Sequence, residues 1–183
     1  MSELRLPSAL ENSQCVLVAG AGGGFDVYAG LPIYERLRSL GKKVFLANLS
    51  FVCLGDTNAQ SLTQALYAVE PTTTGADVFS RAHLGAVSFS PWGECQGFAF
   101  EKMGVRPVRE GYTHLVQSLN LDAIVLRDPL HRHAEGCRCH PSTSTPAEDM
   151  TSLAAVAAIN VPTRIVACVR FGVDAYHGVC HAN

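Results

Sequence analysis

Five consecutive apolar residues, Cys15-Val-Leu-Val-Ala19, run directly into Gly20-Ala-Gly22-Gly23-Gly24-Phe-Asp26. An unbroken apolar run of this length is the pattern of a strand buried on both faces, and the glycines end it as a turn. From Asp26 to Leu40 the residues Val27, Leu31, Tyr34, Leu37 and Leu40 recur at spacings of three and four, the period of a one-faced helix, and Gly41 stops it. Pro32 falls in the second turn, so the helix starts nearer Leu31 or kinks there. Lys43-Val-Phe-Leu-Ala-Asn48 reads as the next strand. Strand, helix and strand within about thirty residues make a crossover unit, which demands parallel strands and a helix covering the sheet.

The same grammar returns later in the chain. Val105–Asn120 is an amphipathic helix with Pro107 in its first turn, feeding the strand Asp122–Leu126. Glu148–Asn160 is an alanine-rich helix feeding the strand Thr163–Val169, and Thr145-Pro-Ala-Glu-Asp149 places a cap, a first-turn proline and two acids at its positive end. Between them, residues 127–144 mix His, Arg, Cys, Ser and Pro without apolar periodicity and read as an irregular loop or insertion. The stretch from Phe51 to Met103 is assigned only in part: Leu66–Val69 and Phe98–Phe100 as strands, Pro71–Gly75 and Ser90–Gly93 as turns. The expected architecture is an α/β fold with an open, mostly parallel sheet and helices on both faces. At 183 residues this is one domain over 14–183, with 1–13 a flexible N-terminus.

Charge and cysteine usage narrow the function classes. A formal net charge of -2 supplies no basic field for nucleic acid or anionic membrane, and no apolar run reaches the roughly 20 residues that span a bilayer. The first fourteen residues lack the apolar centre of a signal peptide, so the expected location is cytoplasmic. Seven cysteines form an odd set, and Cys15, Cys53 and Cys168 lie in or beside apolar stretches, which argues for reduced thiols rather than a disulfide framework.

Three groups of residues carry candidate chemistry. Gly20, Gly22, Gly23 and Gly24 allow a close approach to the backbone, and amides at a helix start favour an anion such as phosphate. The pattern is neither a P-loop nor the dinucleotide fingerprint: Phe25 stands where a third glycine belongs, and Asn48, counted with the glycines among the expected ligand-binding residues, stands where a ribose-binding acid is expected. Asp26 repels a bare phosphate, so it suits ribose or a divalent cation accompanying a nucleotide; alternatively it caps the helix and the glycines serve tight packing. In Phe171–His181, Asp174 and His177 share a helical face, as do His177 and His181, beyond the end of a strand that brings them to the glycine edge. An Asp orienting His177 as general base and a metal site are the two chemistries open to this group; packing near the chain end is the third reading. His131, His133, Cys137, Cys139 and His140 are zinc ligands by type but not by spacing, and a surface loop explains them better. Arg106 and Arg109, at a helix start, suit either a nearby anion or a solvated face, and Trp92 and Glu94 lie in a turn.

Val16–Val27, Thr145–Asp149 and Phe171–Ala182 together resemble domain-of-unknown-function family 1152. The resemblance covers most of the chain and implies a Rossmann-like α/β fold with no established activity. Family members carry an acidic, glycine-rich stretch after the strand matching Asp122–Leu126, where this chain has Arg127-Asp-Pro-Leu-His131. The break and the clean return at Thr145 fit compensating frameshifts or an alternative exon boundary. Members also extend beyond the motif that ends here, so the resemblance implies a shortened form lacking the C-terminal part of the fold.

The leading expectation is an enzyme that binds a nucleotide or phosphorylated metabolite over the glycines, with Asp26, Asp174 and His177 nearest the reacting group, performing transfer or hydrolysis rather than hydride transfer. The competing expectation is a noncatalytic ligand sensor, or a shortened interaction subunit forming homo-oligomers through an uncovered apolar face.

Overall fold

A computed structural model describes residues 6, 8–23, 26–50, 53–70, 73, 97–127, 152 and 154–167. The strands are β1 (Cys15–Gly23), β2 (Lys43–Ser50), β3 (Gln60–Ser61), β4 (Leu66–Val69), β5 (Gly97–Glu101), β6 (Ala123–Arg127) and β7 (Thr163–Ala167); the helices are α1 (Asp26–Ser39) and α2 (Val105–Leu119). They form one sheet in the order β3-β4-β5-β2-β1-β6-β7. The five strands from β5 to β7 are mutually parallel, and β3 and β4 add an antiparallel edge. The expected mostly parallel α/β sheet is the observed one.

Alternation along β1 sorts the core into two layers. Val16 and Val18 join Leu46, Ala123 and Val125 under Ile33, Tyr34 and Leu37 of α1. Leu17 and Ala19 face the other way, with Phe45, Phe100 and Ile124, under Val108, Tyr112 and Leu115 of α2 and Ala155 and Val156 of the helical residues 154–157. Helices therefore cover both faces, as a parallel sheet requires. Buried Tyr112 stacks on Phe100 with ring centroids 4.3 Å apart. Burial pushes the Tyr112 phenol well above its ordinary range, and its hydroxyl is satisfied by Ser152.

Both helices end on left-handed residues. Gly41 (φ 76°) completes a paired stop in which its N–H bonds Arg38 at 2.9 Å and the Lys42 N–H bonds Leu37 at 3.2 Å. Asn120 (φ 53°) does the same for α2, letting the Leu121 N–H reach the Val116 carbonyl at 3.1 Å.

Several expectations need correction. α1 begins at Asp26, the start the periodicity gives, and continues through Pro32 rather than starting nearer Leu31; Pro32 is exposed, and its missing N–H forgoes a backbone hydrogen bond. Of its described side chains, Ile33, Tyr34 and Leu37 are buried and Leu31 packs partly against the core, whereas Leu40, beyond the helix end, is 49% exposed. The N-terminal segment is not a free arm over its described part: Ser8–Leu10 forms a single 3-10 turn, Leu10 is fully buried against α1 and the sheet, and the Lys42 ammonium donates to the Glu11 and Ser13 carbonyls. Arg127 belongs to β6, not to the irregular segment, whose remainder, 128–144, lies outside the described residues. The first part of the Glu148–Asn160 helix, Cys168 and Val169, and all of the two expected turns except Thr73 also lie outside them.

Asp122 directly precedes β6, and its carboxylate ties it to the start of β1. It accepts from the Gln14 N–H at 2.8 Å and the Cys15 N–H at 3.2 Å, while its own N–H bonds the Cys15 carbonyl at 3.0 Å. The entry to β6 is thus clipped to the entry of β1. Asp122→Ala is expected to cost about 1.5–2 kcal/mol in urea unfolding, the lower part of the range for hydrogen bonds to a charged group, since the site is partly solvated. A loss below about 0.5 kcal/mol, the usual effect of a surface change, would contradict this role.

Candidate functional site

The glycine segment departs from the expected turn. β1 continues through Gly20 to Gly23 because it is a central strand, with β2 on one side and β6 on the other to take up its backbone groups. On the β6 side the register stays regular as far as Gly20, which pairs with Arg127. On the β2 side Ala19 pairs with Ala47 and the next pair is Gly23 with Leu49. Three residues of β1, Gly20, Ala21 and Gly22, therefore occupy the span of the single residue Asn48. Such a bulge needs backbone freedom that two glycines supply, and bulges re-aim backbone groups at strand ends beside binding sites.

The topology puts this bulge at a particular place. From β1 the chain steps to β2 and then β5 on one side, whereas β6 and β7 lie on the other, so the order reverses between β1 and β6. Open α/β sheets bind ligands outside the carboxyl ends of strands at that reversal. Gly20–Gly23 form the carboxyl end of β1 there, and α1 starts at Asp26, with its first amides lacking intrahelical partners.

Asn48 lies opposite the bulge and beside Ala99 of β5. It is only 4% exposed, and its Oδ1 is buried without a hydrogen-bond partner among the described residues. By alternation with Leu46 it belongs to the sheet face that α1 covers. Its neighbours in register, a glycine bulge and an alanine, contribute almost no side-chain bulk.

Farther along the same edge the character is acidic. Cys53, exposed, lies 3.8 Å from the Glu101 carboxylate, and Asp56 followed by Glu101 raises its thiol above the ordinary range. Tyr67 is raised too, first by burial and then by Glu101. These carboxylates make the β2–β5 end unfavourable for an anion. No signal in the sequence points to this cluster, since Cys53 and Glu101 meet only through the sheet.

Of the expected site residues, the structure brings Gly20, Gly22, Gly23 and Asn48 together and places Asp26 at the first position of α1 by its backbone. Gly24, Asp174, His177 and His181 lie outside the described residues, as do Trp92, Glu94 and the His131–His140 group. Arg106 pairs with Glu110 one helical turn on, at 3.1 Å on an exposed face, which accounts for it without an anion. Among the described residues no group of three or more metal-ligating side chains assembles, and no helix is long and apolar enough to cross a membrane.

Compared with known proteins, the chain matches no protein-family model and no curated protein.

Proposed function

We propose that this chain binds a nucleotide or phosphorylated small metabolite at the carboxyl edge of its sheet, over Gly20–Gly24, and is related to domain-of-unknown-function family 1152. The observation that carries the reading is the glycine bulge at the carboxyl end of β1, set where the strand order reverses. Backbone amides freed from regular pairing, next to the amides opening α1, are donors for an anion, and the absence of side chains on glycine lets a phosphate come close. Asp26 and a divalent cation join the nucleotide, and Asp174 and His177, which follow β7 in the sequence, supply the acid–base chemistry of a transfer or hydrolysis. The free thiols of Cys15 and Cys53 accord with a reducing, cytoplasmic setting.

A thermal-shift screen of nucleotides and sugar phosphates, with and without magnesium, tests this with Gly23→Val as the control. A ligand at about 100 Kd adds roughly 2.7 kcal/mol, or about 5–11 °C for a chain of this size. Stabilisation of the wild type but not of a folded Gly23→Val is expected. Equal shifts in both proteins, or none in either, would remove the glycine segment as the site.

A further inference from the structure

Asn48 asks for a partner of different chemistry from the glycines. A buried carbonyl oxygen left without a donor is costly, and folded proteins seldom keep one without a reason. Here the unpartnered Oδ1 belongs to a side chain 4% exposed, opposite a bulge made of two glycines and an alanine. A donated hydrogen satisfies it, where a bare anion cannot. A phosphate dianion has none to give, and backbone amides engaged by that phosphate are no longer free to give theirs. The ligand therefore divides by chemistry: anionic oxygens at the glycine backbone, and a hydroxyl at the Asn48 carboxamide. In nucleotide-binding sheets the end of the second strand meets the ribose, usually through a carboxylate. Asn48 stands at that place in β2 with no charge, so it accepts from a hydroxyl without repelling a neighbouring phosphate.

We infer that Asn48 is the sugar-recognition residue of the site, its Oδ1 accepting a hydrogen bond from a ring hydroxyl of a ribose-type phosphate ester. This rests on the phosphate-binding reading above but is carried by a different atom and fails separately. A site that offers a buried acceptor to a hydroxyl rejects the analogue lacking it, because the acceptor is then stranded.

Calorimetric titration of the full chain with adenosine 5′-diphosphate, its 2′-deoxy and 3′-deoxy forms, ribose 5-phosphate and inorganic phosphate tests it, on wild type, Asn48→Leu and Asn48→Asp. The wild type is expected to prefer the full ribose by about ten-fold over one of the deoxy forms, the ratio for one net hydrogen bond. Asn48→Leu should abolish that preference while inorganic phosphate binds as before. Asn48→Asp should keep the preference but weaken every phosphorylated probe. A ligand-free melt adds an independent reading: removing a stranded acceptor should raise the Tm of Asn48→Leu above wild type. A lower Tm would mean that Oδ1 has a structural partner, and would overturn the inference. Equal affinity of wild type for ribose and deoxy probes would also overturn it while leaving phosphate binding standing. Failure of every probe to bind wild type would overturn both readings.

Discussion

Gly111→Val should destabilise the protein by about 3 kcal/mol or more, lowering Tm by roughly 6–12 °C for a chain of this length. A Cβ at Gly111 would lie 2.6 Å from Phe100 Cε1 and 3.1 Å from Leu66 Cβ. Neither neighbour can retreat. Phe100 is buried and stacked on Tyr112, and Leu66 is its register partner across β4 and β5. α2 must therefore lift from the sheet and loosen the layer that Val108 and Leu115 complete. Helix propensity acts in the opposite sense, by about 0.8–1.0 kcal/mol for Gly→Ala. Overpacking costs typically 1–3 kcal/mol, so even Gly111→Ala should come out destabilising. Combining it with Phe100→Leu should recover part of the loss, a coupling expected only for residues in contact. A Gly111→Ala protein more stable than wild type in denaturant would show that propensity wins and that α2 sits less tightly than described.

Leu10→Ala should cost about 2–5 kcal/mol, the range for emptying a buried leucine site. Leu10 is fully buried and touches the layer built by Val16, Val18, Ile33, Tyr34 and Leu37. Total stabilities of natural domains run to about 5–15 kcal/mol, so this is a large share. The contrast with a flexible arm is sharp: an exposed leucine in a mobile segment would change stability by less than about 0.5 kcal/mol. Urea unfolding of Leu10→Ala decides between them, and a loss under about 0.5 kcal/mol would detach the N-terminal turn from the fold.

The parts of the fold legible in the sequence are those where local pattern and tertiary demand agree. Cys15–Ala19, Lys43–Asn48 and Asp122–Leu126 contain the apolar runs of inner parallel strands, Thr163–Val169 contains the parallel strand β7 at the end of the sheet order, and Val105–Asn120 has the stripe of Val108, Tyr112 and Leu115 that α2 buries. Legibility ends where distant residues decide. Gly20–Gly23 has the composition of a turn, yet two flanking strands draw its backbone into β1. Leu10 shows no periodicity, since one residue in a 3-10 turn makes none; its burial depends on a groove beside α1. The same holds at the site. Glycines and Asn48 were each visible by type, but that three residues of β1 stand opposite Asn48 alone, leaving its Oδ1 stranded, is a matter of register. The carboxylates around Cys53 come from β5 and the turn after β2, and only sheet order joins them.

The central claim is that the glycine bulge of β1 is where a phosphorylated ligand sits. Its most direct test is an amide chemical-shift titration of the isotope-labelled chain with adenosine 5′-diphosphate, magnesium and ribose 5-phosphate. The predicted result is a saturable change greatest at Gly20, Gly22, Gly23 and the Asn48 carboxamide, with α2 around Gly111 unmoved. Saturable changes confined to other parts of the sheet, or no saturable change with any of these, would contradict it.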